Sequence, residues 1–388
     1  MADSVTIMAR CLCMEHTFSA SLATSALPLK AVCCHCTSCR RVTGSLYSSC
    51  APWPSPSGEE DLSGLERYSY SRHTDIFFCG RCSSKLFCRV SLPTAPAPAV
   101  YVVTGALDNT PGLVEYTSHM FVGDTIDGGA SVWLPPAAER WKGGRGSQEL
   151  SLEWPASAAA SSSSKSLLST SPSPLVAVPR ASPSATHFHC HCRGVHFSLR
   201  SAADLEANPA GVSTTCRVDP RSLRYSARAD SCDSCRLTSG SDVNAWALAP
   251  LTHIEFVDVA GNSSSSSPGL PEFPRTLAAL REAVTAAPRD GRDARLGTLA
   301  VHDSSPGVER YSCSRCAANV FHAARDRDGG GVVDVVDVAV GLLRHPDGAR
   351  AEGLLAWSYG EVGWDVDAAG GWREGIVTLV KLLSGRMG

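Results

Sequence analysis

The chain has 388 residues, 43% of them hydrophobic, a net charge of −3 and a mean hydropathy of −0.04. That is enough chain for two or three domains with cores of their own, and neither half is basic, which disfavours nucleic acid as a partner. No run of about 18 apolar residues exists, so no membrane partner is expected; the opening MADSVTIMARCLC has too short an apolar segment for a secretory signal, which points to a cytoplasmic protein, the nucleus being the alternative.

Taken from the start, the chain first presents Cys11-x-Cys13, then Cys34-His35-Cys36-x-x-Cys39, and after two arginines and a valine a Thr43-Gly44-Ser45 turn. Alternating or β-branched segments follow, and Phe77–Phe78, Lys85–Val90 and Val100–Thr104 read as short strands. Cys79-x-x-Cys82 lies between the first two. The stretch His119–Gly129 reads as a turn with Asx hydrogen bonding and no catalytic role.

Residues 155–186 hold 11 Ser, 7 Ala and 5 Pro, a composition that cannot bury enough apolar surface to offset ordering. A flexible linker is expected there, between a first module at 5–154 and a second at 187–388.

The second module repeats the order with Cys190-x-Cys192, Asp230-x-Cys232-x-x-Cys235 and Cys313-x-x-Cys316. It is longer: 37 residues separate Cys192 from Asp230 against 20 between Cys13 and Cys34, and 77 separate Cys235 from Cys313 against 39 between Cys39 and Cys79. Insertions are therefore expected near 200–228 and 258–298, including the Ser263–Ser267 run and a surface helix at Thr276–Ala287. Val332–Val340 reads as a further strand. The fold class expected is mainly β, two tandem zinc-binding modules pinned by metal hairpins.

Seventeen cysteines also suit a disulfide scaffold. The odd number, the length and the lack of an export signal favour metal instead, and thiolates at this spacing favour zinc over iron–sulfur. A structural zinc needs four ligands, whereas a reactive one keeps a position open. Cys11, Cys13, Cys79 and Cys82 form one expected closed site, and Cys190, Cys192, Cys313 and Cys316 its counterpart. Cys34, Cys36 and Cys39 then form an open site that can accept an exogenous thiol, unless His35 or Cys33 closes it. Chain alternation argues against both, since each neighbours or separates ligands. Asp230, Cys232 and Cys235 form a harder, weaker copy, with Cys216 a distant alternative ligand or a buried free thiol. His187, His189, His191 and His196 are expected not to be ligands, and Cys50 and Cys88 to be packed thiols. Arg40 and Arg41 suit a carboxylate, with solvated surface positions the alternative.

The run Cys34-His-Cys36-Thr-Ser-Cys39-Arg-Arg-Val-Thr-Gly-Ser, flanked by C-x-C and C-x-x-C, closely resembles the GFA family, the glutathione-dependent formaldehyde-activating enzymes, whose relatives include centromere protein V. Cys232-Asp-Ser-Cys235-Arg-Leu-Thr-Ser-Gly-Ser echoes it. The resemblance implies an Mss4-like β fold, structural zinc on the outer pairs and a glutathione-linked zinc on the first triplet. It also implies carbon–sulfur lyase activity of the S-hydroxymethylglutathione synthase kind, with a small-molecule thiol and an aldehyde as partners and three to four zinc ions per chain. A zinc-stabilised thiol-binding or scaffold protein without turnover is the alternative. The chain departs from the family at four turn positions, where Met14, Arg193, Ser83 and Ala317 replace glycine.

Overall fold

The computed structural model describes residues 3–54, 60–136, 139–151, 154–155, 183–205, 218–257, 271–287, 289, 291–325 and 334–387. Most of the expected linker, Cys216, the Ser263–Ser267 run and residues 331–333 lie outside them.

In the first module a two-stranded ribbon, β1 (Ser4–Arg10) with β2 (Thr17–Ala23), precedes β3 (Leu29–Cys34), α1 (Thr37–Thr43), β4 (Ser48–Pro52), β5 (Glu66–Ser71), β6 (Thr74–Phe78), β7 (Lys85–Val90), β8 (Ala99–Val103), β9 (Val114–Met120) and β10 (Glu139–Arg140). The eight strands β3 to β10 form one sheet in the order β10-β9-β3-β4-β8-β7-β6-β5. The three strands expected from sequence are thus β6, β7 and β8. Consecutive residues at the ends of β6 and β7 that adjoin the Cys79–Cys82 turn are buried, and Phe87 of β7 meets Phe18 and Trp53 edge to face.

The second module repeats this plan. A ribbon of β11 (Ala185–His189), β12 (His196–Arg200) and, from later in the chain, β16 (Ile254–Phe256) accompanies a larger sheet. That sheet runs β13 (Val218–Asp219), β14 (Arg224–Asp230), β15 (Asn244–Pro250), β20 (Val335–Ala339), β19 (Asn319–Ala324), β18 (Val308–Cys313), β17 (Leu299–Ser305), with β21 (Leu355–Gly363) parallel to β14 as β9 is to β3. α2 (Asp233–Ser239) follows β14 as α1 follows β3. β11 opens at Ala185, two residues inside the stretch read as linker.

Two further helices belong to the second module. α3 (Leu277–Thr285) starts where a Thr was expected to begin it, with Thr276 Oγ1 accepting from the Ala279 amide. It is an insertion, but it buries Leu277, Leu280 and Val284 rather than lying free on the surface. α4 (Trp372–Ser384) closes the described chain and buries Trp372, Arg373, Ile376, Val377 and Val380.

The modules are packed together through reciprocal contacts, the pattern of an isologous pair. The Gly105 amide donates to the Gly240 carbonyl at 3.0 Å, and the equivalent Gly341 amide to the Gly44 carbonyl at 2.9 Å. Gly44 and Gly240 terminate α1 and α2 in the left-handed conformation, at φ 82 and 81. The bridges Ala9 to Leu107 and Phe188 to Leu343 repeat the relation within each half. Between the reciprocal halves lies a polar seam, where Ser45 Oγ donates to Asn244 Oδ1 at 2.6 Å and Asp242 gathers donors from both modules.

Candidate metal and thiol sites

The strand–turn–strand geometry brings the outer cysteine pairs together. In the first module Cys11 and Cys13 leave β1 and Cys79 and Cys82 follow β6, with Sγ separations of 3.6 Å for Cys11–Cys13 and for Cys13–Cys79. Cys190–Cys192 and Cys192–Cys313 stand at 3.6 and 3.5 Å. In each group all four sulfurs lie within 4.8 Å of one another. A tetrahedral zinc with Zn–S of about 2.3 Å requires sulfur edges of about 3.8 Å, so both groups fit the metal. Amides at the turns already point at the sulfurs: His16 to Cys11, Val195 to Cys190 and Cys316 to Cys313, at 3.3, 3.3 and 3.4 Å. These turns need left-handed backbone, the conformation that glycine adopts most readily. Met14, Ser83, Arg193 and Ala317 sit there at φ 62, 58, 57 and 57.

The first triplet spans the end of β3 and the start of α1. Cys36 is the N-cap, its sulfur accepting from the Cys39 amide at 3.3 Å. Cys34, Cys36 and Cys39 offer sulfurs within 4.8 Å of one another, and no fourth metal-type residue joins them among the described residues. Three thiols this close share protons, so hydrogen bonds from Cys34 and Cys39 pull the Cys36 pKa far down while hydrogen bonding and burial push Cys34 up. A cation relieves that crowding, which makes the triplet a fitting metal site. Tyr70, on the bulge of β5, places its hydroxyl 3.2 Å from Cys39 Sγ and 3.7 Å from Cys36 Sγ. Burial and the two cysteines push the tyrosine pKa up, so it remains a donor at neutral pH.

Neither neighbour closes the triplet. Cys33 is buried beside Asp242, Cys50 and Tyr116, on the module seam. His35 turns inward, its Nε2 2.9 Å from His119 Nδ1, while His119 Nε2 stands 2.9 Å from the Pro135 carbonyl. Both imidazoles are fully buried, and burial lowers both pKa values, that of His119 to about 4. The Pro135 carbonyl makes His119 donate through Nε2, so His35 donates through its own Nε2. The sequence reading gave His119 no role, because its partner lies 84 residues away. The Asx turn expected nearby is present, with Asp127 Oδ1 accepting from the Gly129 amide at 2.9 Å.

Arg40 is not a surface residue. It is 6% exposed, and its guanidinium donates to the His35 carbonyl at 3.3 Å and to Thr37 Oγ1 at 3.1 Å. Arg41 is half-buried and pairs with no carboxylate among the described residues. Like-charged Arg40, Arg344 and Arg193, after burial, lower its pKa to about 10. Two of those three come from the second module.

In the second module Asp230, Cys232 and Cys235 also converge within 4.8 Å. Their surroundings differ. Asp230 Oδ1 accepts from the Cys232 amide at 3.1 Å, and the buried Arg310 guanidinium reaches Cys235 Sγ at 3.5 Å and Cys232 Sγ at 3.9 Å. Strand register puts Ile76 at the place of Arg310, and Ser304 at the place of Tyr70. His187, His189, His191 and His196 join no metal-type group among the described residues. His191 instead reaches the first module, with Nδ1 2.6 Å from Tyr68 Oη and its ring stacked on Tyr70 at 4.7 Å. No helix of the described residues is long and apolar enough to cross a membrane.

Residues 6–124 match the family model described as glutathione-dependent formaldehyde-activating enzyme. That span contains the first closed site, the intact triplet and Tyr70. No curated protein matches the chain.

Proposed function

Residues 6–124 match the glutathione-dependent formaldehyde-activating family model, and we propose on that premise that the first module joins a thiol to an aldehyde, with glutathione and formaldehyde as the pair. The observation that supports it is the triplet of Cys34, Cys36 and Cys39, three converging sulfurs with no fourth protein ligand beside them among the described residues. The same reading assigns zinc to the two outer groups, Cys11, Cys13, Cys79, Cys82 and Cys190, Cys192, Cys313, Cys316, as structural metal whose binding energy is folding energy.

A zinc held by the triplet supplies one open position where an incoming thiol is stabilised as its thiolate at neutral pH. The protein's own residues then do three things. Cys36, capped by the Cys39 amide, and Cys39, facing the Tyr70 hydroxyl, have their negative charge shared with donors. His35 and His119 lock the loop between two ligands by a buried, neutral hydrogen-bond chain. The half-buried site holds the thiol sulfur where an aldehyde carbon can reach it, and proximity supplies much of the acceleration. In the addition a carbon–sulfur bond forms, the carbonyl π pair moves to oxygen, and the proton released by the thiol ends on that oxygen through water. Nothing is oxidised, and the reverse reaction is the carbon–sulfur lyase direction. Asp230, Cys232 and Cys235 retain two thiolates already engaged by Arg310, which favours a binding or structural role for the second module and a weaker metal there, so that the chain holds nearer three zinc ions than four.

The test measures zinc per chain, then follows glutathione and formaldehyde consumption by the wild type and by Cys36→Ser. Wild-type turnover well above the uncatalysed rate, lost in Cys36→Ser with one zinc fewer, is expected. Wild-type consumption at the uncatalysed rate would leave a zinc-stabilised thiol-binding protein as the reading.

A further inference from the structure

We infer that the second module completes the first module's thiol site: His191 walls it, and Arg193 and Arg344 join Arg41 as the receiver for the carboxylates of an anionic thiol. The inference rests on the thiol-addition reading above and adds which residues select the thiol.

The contact is continuous from sulfur to second module. Cys39 Sγ meets the Tyr70 hydroxyl at 3.2 Å, the Tyr70 ring stacks on His191 at 4.7 Å and 26°, and His191 Nδ1 meets Tyr68 Oη at 2.6 Å. The hairpin tip carrying His191 is pinned by its own amide, which donates to the Arg41 carbonyl at 3.0 Å. Arg193 lies two residues further on that tip. Arg344 is anchored beside the same ribbon, its amide donating to the His187 carbonyl at 2.9 Å. The side chains of Arg193 and Arg344 are exposed, and among the described residues neither they nor Arg41 pair with a carboxylate. Three guanidiniums left together without acids have a self-repulsion that a dianionic ligand removes.

The internal repeat supplies a control within one molecule. Register and the reciprocal contacts place Leu12 where the second module has His191, Met14 where it has Arg193, and Asp108 where it has Arg344. Arg41 is likewise matched by Leu237. At the altered triplet the cation beside the sulfurs is Arg310 of the same module, whereas beside the intact triplet the second module contributes the His191 imidazole, stacked on Tyr70. Arg193 and Arg344 thus have no cationic counterpart at the equivalent positions of the first module, Met14 and Asp108. Had the arginines served solubility or the seam alone, nothing would tie their location to the intact site.

The test uses the full, zinc-loaded chain and two probes, glutathione and its diethyl ester, which lacks both carboxylates, titrated calorimetrically into the wild type and into the double variant Arg193→Met/Arg344→Gln. Expected is tighter wild-type binding of glutathione than of the ester, and a fall of about five- to tenfold in glutathione affinity in the variant. Ester affinity and zinc content stay unchanged, which shows that the fold is retained. Equal glutathione affinity in wild type and variant would overturn this inference and leave the thiol-addition reading standing, as would a parallel loss of both probes. A wild type that binds neither thiol would overturn both.

Discussion

Asp242 and Arg373 form an ion pair at 2.8 Å with both side chains 1% exposed or less, and the pair sits on the seam between the modules. The arginine comes from α4, and the same carboxylate accepts from the Thr104 and Tyr116 hydroxyls of the first module. A second-module acid is thereby satisfied by first-module donors. Breaking one half of such a pair leaves a buried charge uncompensated, which costs about 3–5 kcal/mol. Arg373→Met is therefore expected to lower the denaturant midpoint strongly, and Arg373→Met with Asp242→Asn to recover part of the loss. Unfolding curves of the two variants check this; equal stability of Arg373→Met and wild type would show that the seam does not carry the fold.

The reciprocal glycines make a second, steric prediction. A Cβ on Gly105 would lie 2.5 Å from both the Arg236 carbonyl oxygen and the Gly240 carbonyl carbon. Backbone cannot yield as a side-chain tip does, so Gly105→Ala is expected to cost about 2 kcal/mol or more. Increased protease sensitivity with unchanged structural zinc would identify separated modules; a variant as stable as the wild type would refute the close approach.

Tyr70 is expected to matter through the sulfurs it touches. Hydrogen bonds to charged groups contribute roughly 1.5–3 kcal/mol, so Tyr70→Phe is expected to weaken metal retention at the Cys34, Cys36 and Cys39 site by about ten- to a hundredfold. Competition with a zinc chelator measures it, the two outer sites serving as internal standards. Indistinguishable release from all three sites in both proteins would remove Tyr70 from the account.

Asp230→Cys is expected to give a fourth tightly held zinc by restoring a third thiolate. Metal analysis after chelator treatment reads the count. An unchanged count would mean that Arg310, reaching both remaining sulfurs, governs that site instead of the carboxylate.

Acid is expected to destabilise the protein through buried histidines. Burial lowers the pKa values of His119 and His253 from 6.5 to about 4. Between these values the unfolded chain binds the proton and the folded one does not, so stability is present above pH 6.5 and lost as pH falls towards about 4. Each group contributes at most about 3 kcal/mol over that window. Denaturant curves at pH 7 and pH 5 should show the drop, and His253→Gln, remote from every cysteine group, should show a smaller one. Identical drops in both proteins would mean that His253 is not the group concerned.

The cysteine groups were legible in the sequence because short C-x-C and C-x-x-C loops leave thiols few other places to go, and the structure brings every expected set together. The short strands β6, β7 and β8 and the capped helix α3 were legible for similar local reasons. The roles of His119, Arg310 and His191 were not, since each depends on a partner more than 70 residues distant. Arg40 is not the surface residue that one alternative expected, because nothing local shows that its fork is folded back onto the His35 carbonyl.

By itself, then, the sequence determined the grouping of the metal-type residues and the β character, both consequences of residue type and short-range spacing. Only the tertiary structure decided that the two halves interlock, that Asp242 is shared between them and that His191 of one half stacks on Tyr70 of the other. Those relations are made of long-range packing and electrostatics, which reveal themselves only when strands far apart in the chain lie side by side.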